Sequence, residues 1–422
     1  MRKKILYTMM MIVVFRLGTH IPVPFMNPAA MKELISMGGE GGLLGLLDMF
    51  SGGAFGNATI FAMSITPYIN ASIIMQLLTV AIPALEKLQK EGEEGRKKIA
   101  QWSRYLTVVL GLIQATGLYF TLSRSNLGNS NIRAITDTGF LTGLTVILTF
   151  TAGTAFLMWL GEQINEKGIG NGISMLIFAG IVSRGPQMIG TFVAYFRVDR
   201  LNWFSMTVLV IVALLVVALV VMMNNAERKI PVQYSKRVVG RKMYGGQSTH
   251  IPIKVASAGV LPIIFAMSIM AFPATVSGFF GKTTENASGF LGWLLRFLSP
   301  QHWFYGVLYF LLILFFTYFY TAIQFNPIEM SNNMKKNGGF IPGIRPGRST
   351  SDYINKVLSR MTIVGATFLG LIAVLPIFMS QGANLNISIG GTSLLIVVGV
   401  ALETTRQMES QMLMRHYKGF LE

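Results

Sequence analysis

The sequence predicts an all-α polytopic membrane protein: ten transmembrane helices in two inverted five-helix halves, with a short re-entrant helix between the first two spans. Three observations lead there. Ten apolar runs recur along the 422 residues, each close to the roughly 20 residues a spanning helix needs. Of the 35 lysines and arginines, 26 fall in the termini and alternate gaps between runs, counting Arg360 and Arg406 at the adjoining span ends, seven in the other gaps, and Arg16 and Arg184 inside runs. The runs are long and continuous, which excludes the alternating segments of a membrane barrel. Short loops rich in Lys and Arg stay cytoplasmic. Both termini are therefore expected in the cytosol, and the protein in the cytoplasmic membrane.

The first run, 5–22, leads directly into Pro22 and Pro24 without a small-residue cleavage pattern, so it reads as a retained span. Arg16 lies toward its outer end. It either snorkels to the interface or has a packing or gating role, and both readings stand. Residues 43–65 are apolar but broken by Gly52, Gly53 and Gly56, and they carry Asp48. Irregular backbone survives at membrane depth only where protein or water satisfies it, so this stretch reads as a re-entrant helix tucked into the bundle. The second run, 60–83, contains Pro67, and the seventh, 257–280, contains Pro262 and Pro273. Proline-interrupted spans at matching positions of two halves, here 1–200 and 201–422, are the pattern of inverted repeats around a functional site. The other runs lie near 105–122, 140–160, 172–192, 203–223, 303–325, 358–379 and 392–409. Two cytosolic loops, 225–256 and 326–356, hold much of the net charge of +17.

Catalytic chemistry is scarce. There is no cysteine, so thiolate catalysis and thiolate metal sites are excluded. His20, His250, His302 and His416 sit at span ends or in loops, and none belongs to a metalloprotease motif. Asp48, Asp137, Asp199 and Asp352 lie outside regular spans. Ser174 has no histidine placed to activate it. The run Gly278–Thr283 ends like a phosphate loop but lacks the leading glycine and the preceding strand. Glu162, Glu227 and Glu403 sit at cytosolic span ends, whereas ion-coupled transport uses ionisable groups at mid-membrane. The protein is therefore expected not to be an enzyme and to need no cofactor or metal. A secondary transporter for a small solute is the alternative reading.

Several stretches resemble the SecY family, the channel subunits of the Sec protein translocon. They are Arg16-Leu17-Gly18 leading to Ile21-Pro22-Val23-Pro24, the broken span 66–80, Gly161–Ser174, Gln247–His250, Gly343–Gly347 and Gly390–Val398. The resemblance runs from the first residues to the last span. It implies two halves around an hourglass pore that passes unfolded polypeptides and releases apolar segments sideways into lipid.

By that resemblance the pore waist is lined by Ile69, Ile73, Ile177, Ile181, Ile269 and Ile396. The spacing of four within two of these pairs independently places each pair on one helical face. A ring of branched aliphatics dewets and resists ion flow. The 43–65 segment matches a plug, with Leu46, Leu47, Met49, Phe50, Gly52, Gly53 and Phe55. The lateral gate lies between spans two and three and spans seven and eight, with Asn70, Gln76, Thr79 and Ser268 on its seam. Arg241, Lys242, Lys335, Lys336, Arg345 and Arg348 stand on the docking loops, Arg345 being the strongest candidate. The implied partners are SecE and SecG subunits, the SecA ATPase, the ribosome through its RNA, signal-bearing preproteins and membrane lipid.

Overall fold

In lipid, an apolar run satisfies its backbone only as a helix or in a closed barrel, and helices dominate this chain. The computed structural model describes residues 2–37, 43–124, 134–137, 139–187, 190, 203–234, 237–239, 242–244, 248–279, 292–293, 297–298, 302–383 and 391–418. The boundary expected near residue 200 lies outside them. Helix α1 spans Arg2–Gly18, α2 Pro28–Met37, α3 Leu43–Phe50, α4 Thr66–Ala81, α5 Pro83–Lys90, α6 Glu93–Arg124, α7 Phe140–Lys167 and α8 Gly172–Ser183. Beyond residue 200 come α9 (Trp203–Asn225), α10 (Leu261–Phe279), α11 (Trp303–Gln324), α12 (Pro327–Lys336), α13 (Arg348–Ala383) and α14 (Gly391–Lys418). Among the described residues, four stretches are long and apolar enough to cross a membrane: 93–123, 140–167, 303–336 and 348–375. The bent pair α4–α5 makes a fifth.

Proline acts differently in the two spans where it was expected to interrupt. Pro67 sits in the first turn of α4, where a missing N–H removes no helical hydrogen bond, so the second span simply begins late. Its far end breaks at Ile82, which is extended, and Pro83 restarts the chain as α5, turned by 99°. The seventh span is not broken at its prolines. Pro262 falls in the first turn of α10, and the helix continues through Pro273. Membrane helices tolerate such a proline where neighbours re-satisfy the freed carbonyl.

Before residue 200, α1 packs on α7 and α8, and α6 on α4 and α7. After it, α11 packs on α10 and α13, and α14 on α9 and α13. The two sets meet along two seams, α8 against α14 and α4 with α6 against α10.

The loops 225–256 and 326–356 contain strands that the sequence reading did not anticipate. β1 (Glu227–Tyr234) pairs antiparallel with β4 (Ser248–Lys254), Ile230 opposite Ile251, and also with β5 (Gly339–Phe340), Gln233 opposite Phe340. A separate ribbon joins β2 (Arg237–Val239) to β3 (Lys242–Tyr244). Alternate residues of a strand share a face, and Ile230 and Val232 use theirs to pack with Ile253, Met334, Ile341, Ile354 and Leu358. The two loops are thus one body with its own small core.

Candidate functional site

Five of the six isoleucines named above come together. Ile69 and Ile73 from α4, Ile177 and Ile181 from α8, and Ile396 from α14 are all buried in one apolar cluster. Ile269 stands apart, 36% exposed on α10. That helix instead sends Ile263, Ile264, Phe265 and Met267 into the cluster. The sequence reading placed Ile269 by family resemblance alone, without a second isoleucine to fix the helix phase.

Among the described side chains of the segment 43–65, none is exposed. α3 is followed by turns, and Ser51, Ala54, Phe55, Ala58 and Ala62 have no solvent exposure. Phe50, Ala54, Phe61 and Ile65 pack in the same cluster as the isoleucines. Met49 is buried, while Phe55 turns away into a second core with Val23, Met31, Ile35 and Phe150. The side chains of Leu46 and Leu47 lie outside the described residues.

Gly52 and Gly53 adopt φ of +67° and +86°, a region that glycine enters without steric cost. Gly180 of α8 is required for a different reason: a Cβ there would stand 2.8 Å from the Phe50 carbonyl oxygen. Ala58 and Ser64 also have positive φ, 51° and 55°, at a cost of about 1–3 kcal/mol each. Hydrogen bonds hold both. The Val23 N–H donates to the Ala58 carbonyl (2.8 Å), and the Ser64 hydroxyl to the Phe50 carbonyl (3.1 Å).

Polar groups also fasten this segment. One oxygen of Asp48 accepts the Gly56 N–H at 2.7 Å, and the other pairs with Arg184 at 3.1 Å. Arg16 turns inward rather than snorkelling. Its Nη1 donates to the Gly52 carbonyl (3.0 Å), the Ser183 hydroxyl (3.2 Å) and the Thr19 hydroxyl (3.4 Å). The sequence marked Asp48 and Arg16 as unusual but missed Arg184. Its only signal was a cation within the apolar run 172–192.

Of the seam residues, Thr79 and Ser268 are buried and Asn70 is half-buried. Thr79 donates to Met75 O of its own helix and so contributes no bond across the seam. Among the described residues, the buried Gln76 Oε1 has no hydrogen-bond partner.

On the body formed by the two loops, Lys335, Lys336, Arg345 and Arg348 are all exposed. Gly343 and Gly347, with φ of +80° and +105°, shape the turn that presents Arg345. That turn is held by the Thr350 hydroxyl on the Arg345 carbonyl (2.9 Å) and the Ser331 hydroxyl on the Gly347 carbonyl (2.7 Å). Arg241 and the side chain of Lys242 lie outside the described residues. At the base of the loops, Arg406 donates to Asn225 Oδ1 at 2.7 Å. Burial and the nearby Arg406 lower the pKa of Lys254.

Comparison with known proteins supplies the family. A family model described as SecY matches residues 59–405. The chain is 48% identical over 431 residues to the protein translocase subunit SecY of Streptomyces scabiei, covering all of this chain and 97% of that one. Two solved channels share the fold. One is a SecY whose plug domain is described as stabilising the closed state and maintaining a membrane seal (TM-score 0.67, 18% identity, 97% of this chain and 92% of that one). The other is Sec61 in the canine ribosome–channel complex (TM-score 0.63, 17% identity, the same coverage). Helices of this length and apolarity, in this order and at this identity, leave one assignment: the chain is a multi-pass membrane protein and belongs to the SecY family.

Proposed function

We propose that this protein is the channel subunit of a Sec translocase, passing unfolded polypeptides outward and releasing apolar segments into lipid through the α4/α6–α10 seam. The observation that carries the reading is the 43–65 segment, enclosed against a buried cluster to which α4, α8 and α14 contribute isoleucines. The isoleucines act as the waist and the segment as the plug. Ten spans place both termini in the cytosol of the cytoplasmic membrane, with the halves divided near residue 200. The exposed cations of the cytosolic body receive the SecA motor or ribosomal RNA, because basic surfaces gain affinity for polyanions by counterion release. SecE and SecG complete the channel. The subunit breaks no bond itself, and the energy comes from the motor's ATP hydrolysis, the proton-motive force or ribosomal synthesis.

Reconstitution tests this directly. Proteoliposomes with this chain, SecE, SecG, SecA and ATP should protect a signal-bearing preprotein from protease. Arg345→Glu should abolish protection while leaving the complex intact. Protection unaffected by that change moves the dock away from Arg345. No protection by the parent complex, with SecA bound, overturns the channel reading in favour of solute transport.

A further inference from the structure

Taking 43–65 as the plug, on which the following rests, we propose that Arg184 and Arg16 are positioning residues forming an ionic latch that holds the plug shut. Asp48 is the receiving group. Its side chain is only 6% exposed, and that of Arg184 20%, so the pair is shielded from the water and salt that weaken surface ion pairs. The same carboxylate folds the plug onto itself through the Gly56 N–H at 2.7 Å. One anion therefore shapes the 48–56 loop and ties it to α8.

Arg16 reaches the adjacent Gly52 carbonyl from α1 and also touches Ser183, the neighbour of Arg184. The plug is thereby gripped from two helices within five residues of its own chain. Gly180 lets the Phe50 backbone approach α8 closely enough for both contacts. Such bonds are directional and short in range. A small displacement admits water and weakens them steeply, whereas the apolar cluster above tolerates sliding. The latch is thus the part of the seal that fails all at once.

The test uses the complex with SecE and SecG in planar bilayers, reading ion conductance without substrate, alongside ATP-driven preprotein protection. Asp48→Asn, which keeps the side chain's size, and Arg184→Gln should each raise idle conductance about tenfold, a shift of about 1.4 kcal/mol in the closed–open balance. Arg184→Lys, which keeps the cation and leaves the Asp48–Gly56 bond untouched, should stay near the parent. Asp48→Asn and Arg184→Gln at the parent level overturn the latch. Arg184→Lys as leaky as Arg184→Gln also overturns it, leaving only local packing. If deleting 43–65 does not change idle conductance, the plug reading itself is overturned, together with the latch.

Discussion

The α8–α14 seam and the α4/α6–α10 seam join the same two sets of helices and are made differently. At the first, the turn before α8 is tied across by hydrogen bonds. The Gly170 N–H donates to Gln407 Oε1 at 2.6 Å, and the Thr404 hydroxyl contacts Met175 Sδ at 3.5 Å. The turn itself is anchored to α1 by the Ile169 N–H on the Thr8 hydroxyl at 3.0 Å. At the second seam, Ile69, Ile73, Ile263, Ile264 and Phe265 enter one apolar cluster, and Gln76 keeps a buried oxygen that no described residue satisfies. Hydrogen bonds fix register, while apolar faces slide. An unmade bond adds a bias, because parting the helices lets water or a passing chain supply the missing donor. Under the proposed function, the first seam would serve as a hinge and the second as the gate.

The largest effect should come from breaking the tied seam. Gln407→Leu strands the buried Gly170 N–H, and an unsatisfied buried donor costs about 1–3 kcal/mol. Thermal unfolding of the purified complex should shift down accordingly, and preprotein translocation should fall for every signal alike. Loss confined to weakly apolar signals would place the gate at this seam instead.

A smaller and opposite effect is expected at the other seam. Gln76→Leu removes the orphaned oxygen and adds apolar contact, stabilising the closed arrangement by about 1 kcal/mol on the scale of buried polar groups. Translocation of preproteins with marginal signal hydrophobicity should then drop several-fold, while strongly apolar signals pass normally. Equal loss for both classes would remove Gln76 from the gate.

These two seams also mark where sequence reasoning succeeded and stopped. Spans were legible because lipid imposes length and apolarity on each one separately, and charge asymmetry orders them. Asp48 and Arg16 stood out for the same reason, as charges beside apolar chain. Arg184 did not, since its partner lies on an element remote in sequence and a single cation shows nothing of that pairing. β1 carries a legible alternation at Lys229-Ile230-Pro231-Val232-Gln233, yet Pro231 argues against a strand, and proline in a sheet belongs at an edge or bulge. Its pairing with β5 joins two loops that the sequence presents as independent. The Ile269 assignment had resemblance behind it but no periodic partner, and that position is exposed rather than buried with the other five.

The smallest effect should come from an ion pair that crosses neither seam. Arg104 of α6 donates from Nε to Glu162 of α7 at 2.7 Å, with side chains 50% and 25% exposed. Pairs this open contribute about 0.2–1 kcal/mol and are screened by salt. Arg104→Gln should therefore change unfolding by less than Gln407→Leu, with the difference from the parent vanishing at high ionic strength. It should leave the dependence of translocation on signal hydrophobicity untouched, since α6 and α7 belong to the same set of helices. A shift in that dependence as large as the one from Gln76→Leu would mean that the gate responds to general loosening. The contrast between a tied hinge and an apolar gate would then lose its basis.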